Sequence, residues 1–143
     1  MTAEDRVRQS FQRQTVMHTL GMTLVEVKEG ECVIGFDYAD RLTQQHGFIH
    51  AGVIATALDS ACGYAAYSLM PEGAAVLSIE FKTNLMRPAQ GDRFEARARV
   101  VKPGRTVHFT EASLFAVTGT SEKLVASMSG TMMVVTGREG VQG

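Results

Sequence analysis

The stretch Ala51–Met70, AGVIATALDSACGYAAYSLM, carries a single charge in twenty residues, Asp59, and is built largely from Ala, Gly, Ser and Thr. Its length is nominally enough to span a bilayer. A carboxylate at the centre would be costly in lipid, however, and no cluster of basic residues lies close to either end. The stretch reads as a buried helix of a globular domain, with no membrane span. A helix that is apolar almost all round must be covered on most sides, so the rest of the chain has to wrap it.

The flanking sequence supplies that wrapping. Met22–Lys28 and Glu31–Asp37 are short strand-like runs separated by Glu29-Gly30, whose glycine permits a tight hairpin turn. After the helix the hydrophobic period changes to two. In Leu77–Lys82 the apolar side chains fall on one face and the polar ones on the other. Asp92–Lys102 repeats this, with Phe94, Ala96, Ala98 and Val100 alternating with charged residues. Pro103-Gly104 marks a turn. Thr106–Val117 alternates less regularly, as expected near a sheet centre, and Lys123–Thr136 is the last strand. Before all of these, residues 3 to about 19 place Val7, Phe11, Val16 and Leu20 among charged and amide side chains, a spacing that suits a short amphipathic helix that Gly21 ends. The expectation is an α+β domain over residues 1–136: a curved antiparallel sheet around one long central helix, a short N-terminal helix, and a loose glycine-rich tail at 137–143.

Composition removes several functions. Fourteen Lys and Arg against fifteen Asp and Glu give a net charge of −1, which takes away the electrostatic case for nucleic acid. The N-terminal MTAEDRVRQSFQRQ lacks the apolar core of a signal peptide. Cys32 and Cys62 are too few for a disulfide framework, and a reducing, cytoplasmic location is the simpler reading.

Asp59 is the most informative residue. No Lys or Arg lies within a helical turn or two of it, so it must reach solvent, bond a nearby hydroxyl or face a site. The loop Gln44–Gly52, QQHGFIHAG, leads into the helix start, where unpaired backbone N–H groups and the positive dipole end can polarise a carbonyl or hold an oxyanion. Gly52 lets a ligand approach closely. Ala51 and Asp59 are eight residues apart, roughly 12 Å along one helix. That is too far for both to grip one carbonyl, so joint action on one bond needs two copies of the helix packed antiparallel, and hence a homodimer. His46 and His50 have i, i+4 spacing, but Gly47 and the missing third ligand argue against a metal. Cys62 has no basic neighbour to activate it as a nucleophile. Ser78 points toward the helix, a partner subunit or solvent. Among the basic residues between 87 and 105, the turn Lys102-Pro103-Gly104-Arg105-Thr106 couples two cations to exposed amides and is the better anion site.

These residues resemble a known family. QQHGFIHAGVIATALDSACGYAA, from Gln44 to Ala66, is similar to the signature of hotdog-fold acyl-CoA thioesterases of the PaaI type: an Asn or Gln, then His-Gly-Gly opening a small-residue helix, then an acidic residue. LSIEFKTNLMRPAQGD and VVKPGRTVHF resemble the family's later strands, and residues 20 to 136 are covered. The resemblance implies that Asp59 is the catalytic carboxylate, as nucleophile or general base. It implies that Gln44 helps hold the carbonyl or the attacking water, and that the Ala51 N–H polarises the thioester. His50 then matches the signature histidine, Gly52 follows in the helix start, and Ser78 matches a serine near the carboxylate from the facing subunit. Lys102 to Thr106 fall where the nucleotide part of CoA binds, with Arg87 in the same substrate-binding set. Dimers commonly paired into tetramers are implied, with no metal or redox cofactor. Ala51 stands where the family has Gly, and Gln44 where Asn is commoner. A non-catalytic acyl-CoA sensor on the same fold is the alternative; a hydratase lacks its usual histidine five residues after the acid, where Tyr64 stands.

Overall fold

The computed structural model describes residues 1–143. Its elements are α1 (Ala3–Arg13), α2 (Thr15–Thr19), β1 (Thr23–Lys28), β2 (Glu31–Asp37), a 3-10 turn (Asp40–Leu42), α3 (Ala51–Tyr67), β3 (Ala75–Leu85), β4 (Arg93–Lys102), β5 (Val107–Thr118) and β6 (Ser121–Val135). The six strands form one sheet in the order β1-β2-β4-β5-β6-β3, every neighbouring pair antiparallel. This is the curved sheet wrapped around a central helix that the sequence led us to expect. No helix is long and apolar enough to cross a membrane.

The composition of α3 explains its position. Ala57, Ala61, Ala65 and Ala66 have no exposed surface, so the helix backbone can sit close against the inner faces of β2 to β6. Larger residues, among them Phe94, Ile34, Leu58, Leu114 and Met132, fill the space around it. The C-terminal end of α3 is pinned to the β1–β2 turn: the Ser68 hydroxyl accepts from the Gly30 N–H (2.8 Å) and donates to the Ala65 carbonyl (2.7 Å). Gly30 adopts φ +78°, the left-handed conformation that this turn demands.

Three local expectations need correction. The N-terminal helix is not continuous to residue 19. It starts in a capping box between Thr2 and Asp5, stops at Gln14 in extended conformation (φ −83°, ψ 96°) and resumes as α2. The break shifts the helical phase, so that Met17 is buried while Val16 is exposed. The irregular look of β5 has a different origin from the one anticipated. Its burial alternates, but the inward places are taken by His108 and Thr110 as well as Ala112, Leu114 and Ala116, so polarity masks the period.

The third correction concerns β3, an edge strand. Ser78 is opposite Met132 but Glu80 is opposite Thr131, so Ile79 is an extra residue in the ladder. Directly opposed residues share a face. Ser78 therefore lies with the buried Met132 on the helix side, Leu77 lies opposite, and Phe81, paired with Gly130, returns to the helix side. The apolar residues of Leu77–Lys82 do not occupy one face, because the bulge reverses the alternation halfway.

Candidate active site

The bulge decides what Asp59 meets. On α3, Asp59 projects toward the β3 edge, where the Ser78 hydroxyl donates to its Oδ1 at 2.7 Å. Met132 Sδ is 3.3 Å from the same hydroxyl, but a carboxylate is the stronger acceptor and takes the proton. No Lys, Arg or His forms an ion pair with Asp59. Burial pushes its carboxyl above the ordinary value of 3.8, and the Ser78 hydrogen bond offsets part of that rise. A carboxylate with raised basicity and no cation beside it is suited to take a proton from water or to attack an acyl carbon. The Asp59–Ser78 contact forms within one protomer. Of the directions open to Ser78, the protomer thus shows the one toward its own helix.

The helix start has a separate geometry. His50 caps α3, its Nδ1 accepting from the Gly52 N–H at 2.8 Å, which leaves the other ring nitrogen to carry the proton. The His50 carbonyl takes the Val53 and Ile54 N–H groups. Gly52 is thus already engaged, and the Ala51 N–H is the donor of the first turn with no partner in the protomer. Upstream, Thr43 bridges Ile49, the Gln44 N–H donates to the Phe48 carbonyl, and the Gln44 side-chain oxygen accepts from the His46 N–H. Gly47, at φ +85°, closes this loop. His46 lies in the loop and His50 at the cap, so the two are not on one helix face.

Two cavities result. One of about 700 Å³ is lined by Gln44, His50, Ala51, Leu85, Met86 and Arg87, among others. The other, about 250 Å³, is lined by Asp59, Ser60, Gly63, Tyr64 and Ser78 of the helix and edge strand, by Ser10 and Gln14, and by Gln142 and Gly143. The structure therefore groups Gln44, His50, Ala51 and Arg87 at one place and Asp59 with Ser78 at another. The aromatic residues named as pocket candidates divide likewise: Phe48 and Ile49 line the larger cavity and Tyr64 the smaller, while Tyr67 packs edge-on against Tyr64.

The loop Lys102–Thr106 joins β4 to β5 and is exposed. A Cβ on Gly104 would strike the Val107 carbonyl, so only glycine fits the turn. The neighbouring Val107 stands level with Met133 and Leu77, at the Ser78 end of the sheet. Arg87 follows the other end of β3, roughly 30 Å away along the strands. Arg93, Arg97 and Arg99 are paired with Glu95, Glu122 and Glu111 on the outer face, whereas Arg87, Lys102 and Arg105 form no ion pair. Cys62 is buried, and burial pushes its thiol up to about 12, which makes it inert as a nucleophile.

Sequence reasoning missed Ser10, Gln14 and Ser60. Gln14 Nε2 donates to the Tyr64 hydroxyl (2.9 Å), Ser60 donates to Gln14 Oε1 (3.0 Å), and Ser10 bonds Tyr64 (3.2 Å). The available signal was the helical phase. Gln14 follows Phe11 by three residues and Val7 by seven, so a polar side chain stands in the apolar stripe.

Comparison with known proteins gives concordant results. The description Thioesterase superfamily matches residues 46–123. A protein of Halobacterium salinarum named as a candidate esterase is 33% identical over 108 residues, which is 72% of this chain and 71% of that one. The 1,4-dihydroxy-2-naphthoyl-CoA hydrolase of Listeria monocytogenes is 23% identical over 119 residues, 83% of this chain and 94% of its own. Among solved structures, a thioesterase family protein from Silicibacter pomeroyi superposes with a TM-score of 0.92 at 50% identity, covering 94% of this chain and 99% of that one. The E. coli PaaI protein of the phenylacetic acid degradation operon superposes with a TM-score of 0.83 at 21% identity, over 98% and 95% of the two chains; at that identity the likeness is one of fold.

Proposed function

The chain belongs to the thioesterase superfamily, and from that premise we propose that it hydrolyses an acyl-CoA to the free acid and CoA at sites shared between two copies. The observation that carries this reading is the separation of the two cavities. The free Ala51 N–H and the carboxylate of Asp59 belong to one helix but lie about two turns apart, in different cavities. Two copies related by a two-fold axis, with their α3 helices antiparallel, bring the helix start of each against the acid of the other.

The edge of the sheet supports such an assembly. One side of β3 has no strand partner, and Leu77, Ile79, Phe81 and Leu85 along it are exposed. An unpaired edge strand of eleven residues is a template for pairing with another chain. A second β3 laid against it would continue the sheet and cover these side chains; pairs of such dimers would make a tetramer.

In the shared site the Ala51 N–H donates to the thioester oxygen, with the Gln44 amide beside it holding that oxygen or the attacking water. Asp59 of the other copy accepts a proton from water as the water attacks and the C–S bond breaks, or attacks the acyl carbon itself, expelling the CoA thiolate and forming an anhydride that water then hydrolyses. Either path ends with an acid and a CoA thiol. Arg87, Lys102 and Arg105, none of which forms an ion pair, are available to the phosphates of CoA.

The test is release of free thiol from a panel of acyl-CoAs by the parent protein and by Asp59→Asn. Turnover by the parent and loss of at least about a hundredfold in the variant, with the fold retained, are expected. Binding of acyl-CoA by the parent without thiol release would instead identify a sensor.

A further inference from the structure

A third cavity, of about 420 Å³, opens at the far end of α3 and takes no part in the proposed hydrolysis. Arg6, Gln9 and Arg13 line it from one face of α1, where residues three and four apart are neighbours. Tyr67 lines it from α3, roughly 12 Å beyond Asp59 along the helix. Glu72 is the one acidic side chain of the lining; it is exposed and pairs with neither arginine. Two guanidinium groups outweigh it, so the side chains give the cavity a positive field.

The donors here are unmet. Arg6 is held in place, its Nη2 donating to the Met70 carbonyl at 3.0 Å and its guanidinium lying 5.3 Å from the centroid of the Tyr67 ring. Arg6 Nη1 is buried without an acceptor. Tyr67 is only 5% exposed, and its hydroxyl, unlike that of Tyr64, has no hydrogen-bond partner. Arg13 forms no ion pair. Donors withdrawn from water without acceptors are costly. A group with several acceptor oxygens and two negative charges answers both the donors and the two cations.

We propose that this cavity binds a phosphate monoester, its phosphoryl oxygens accepting from Arg6, Arg13 and the Tyr67 hydroxyl. Guanidinium forks match phosphate oxygens in geometry as well as charge. The volume lies in the range of small-molecule sites and leaves room for an organic substituent on the phosphate. None of the lining residues belongs to the Lys102–Thr106 loop, and the site stands whether or not the chain cleaves thioesters. Gly143 backs against the Tyr67 hydroxyl, which an added Cβ would overlap. A phosphoryl oxygen at that hydroxyl takes the place of Gly143, so the ligand competes with the segment 137–143.

The test is calorimetric titration of the full chain with glycerol 3-phosphate and with inorganic phosphate at low ionic strength. Saturable binding of both is expected, the monoester the tighter. Arg13→Ala and Tyr67→Phe should each weaken the monoester about tenfold, the worth of a hydrogen bond to a charged group. Tyr67→Phe removes a hydroxyl that bonds nothing in the protein, so its unliganded Tm should match the parent's. Removing residues 137–143 should tighten binding; weaker binding would overturn the placement at the Tyr67 hydroxyl. No saturable binding by the parent, or undiminished affinity in both point variants, overturns the inference. So does a loss in Lys102→Ala that Arg13→Ala does not share, which puts the phosphate on the β4–β5 loop. A free ion bound as tightly as the monoester overturns the assignment to a monoester.

Discussion

The Ser78 hydroxyl donates to Asp59 Oδ1 at 2.7 Å, and this bond ties the middle of a helix with little polar surface to the outermost strand of the sheet. It also tunes the acidity of the carboxyl to which the proposed hydrolysis assigns the central role. Burial raises the Asp59 pKa above 3.8 and Ser78 lowers it in part, so the active, ionised form appears as pH rises. We predict that kcat/KM climbs with pH along a limb centred above 3.8, and that Ser78→Ala moves this limb to higher pH. A pH–rate profile of both proteins checks it; a limb moving toward acid would contradict the role given to Ser78.

The proposed division of the site between copies yields a second prediction. Proline is well tolerated in the first turn of a helix, so Ala51→Pro removes the free N–H with little strain. Its activity should fall by about a hundredfold or more. Mixing Ala51→Pro with Asp59→Asn under conditions of subunit exchange then rebuilds one intact site in each mixed dimer. Recovery to about a quarter of parental activity is expected, since half the dimers are mixed and each has one working site. If both groups acted within one protomer, mixing would recover nothing.

A third prediction concerns stability. A carboxyl whose folded pKa lies above its unfolded value stabilises the fold only while protonated, and that contribution is lost as pH rises through the folded pKa. Ionised Asp59 is therefore a burden at neutral pH. Asp59→Asn keeps an acceptor for Ser78 and should raise Tm at pH 7 by a few degrees, a modest figure because the group is only half-buried. Near pH 4 the difference should shrink. A lower Tm for the variant at pH 7 would argue against this account.

Ser68 provides a test away from the site. Its hydroxyl is the acceptor for the Gly30 N–H at the buried junction of α3 and the β1–β2 turn. Ser68→Ala leaves that N–H unpaired and should cost about 1–3 kcal/mol, read as a lower urea midpoint. An unchanged midpoint would mean that water replaces the hydroxyl there.

The sequence carries the fold because its strongest signals are cooperative. Twenty residues of Ala51–Met70 with one charge can only be a covered helix, and alternation in β4 leaves no choice of face. The candidate acid was legible for the same reason: Asp59 is conspicuous where nothing else is charged. What could not be read depends on single insertions and breaks. Ile79 has no composition that marks it as the extra residue in β3, and Gln14, although in phase with Val7 and Phe11, carries nothing that names Tyr64 as its partner. The partner of Ser78 follows from the first and the polar lining around Tyr64 from the second, so both were hidden until the chain was seen folded.

The extra residue in β3 has a consequence for how such an edge can change over time. Upstream of Ile79 the strand serves the acid; downstream it turns Phe81 inward and Glu80 outward. Because Ser78, Glu80 and Phe81 stand opposite the consecutive residues Met132, Thr131 and Gly130, losing Ile79 would restore an unbroken ladder with all three side chains facing as they do now. The strand can therefore shed a residue at this point without exchanging its inward and outward sets, whereas a loss further along, among residues 82–85, would exchange them locally.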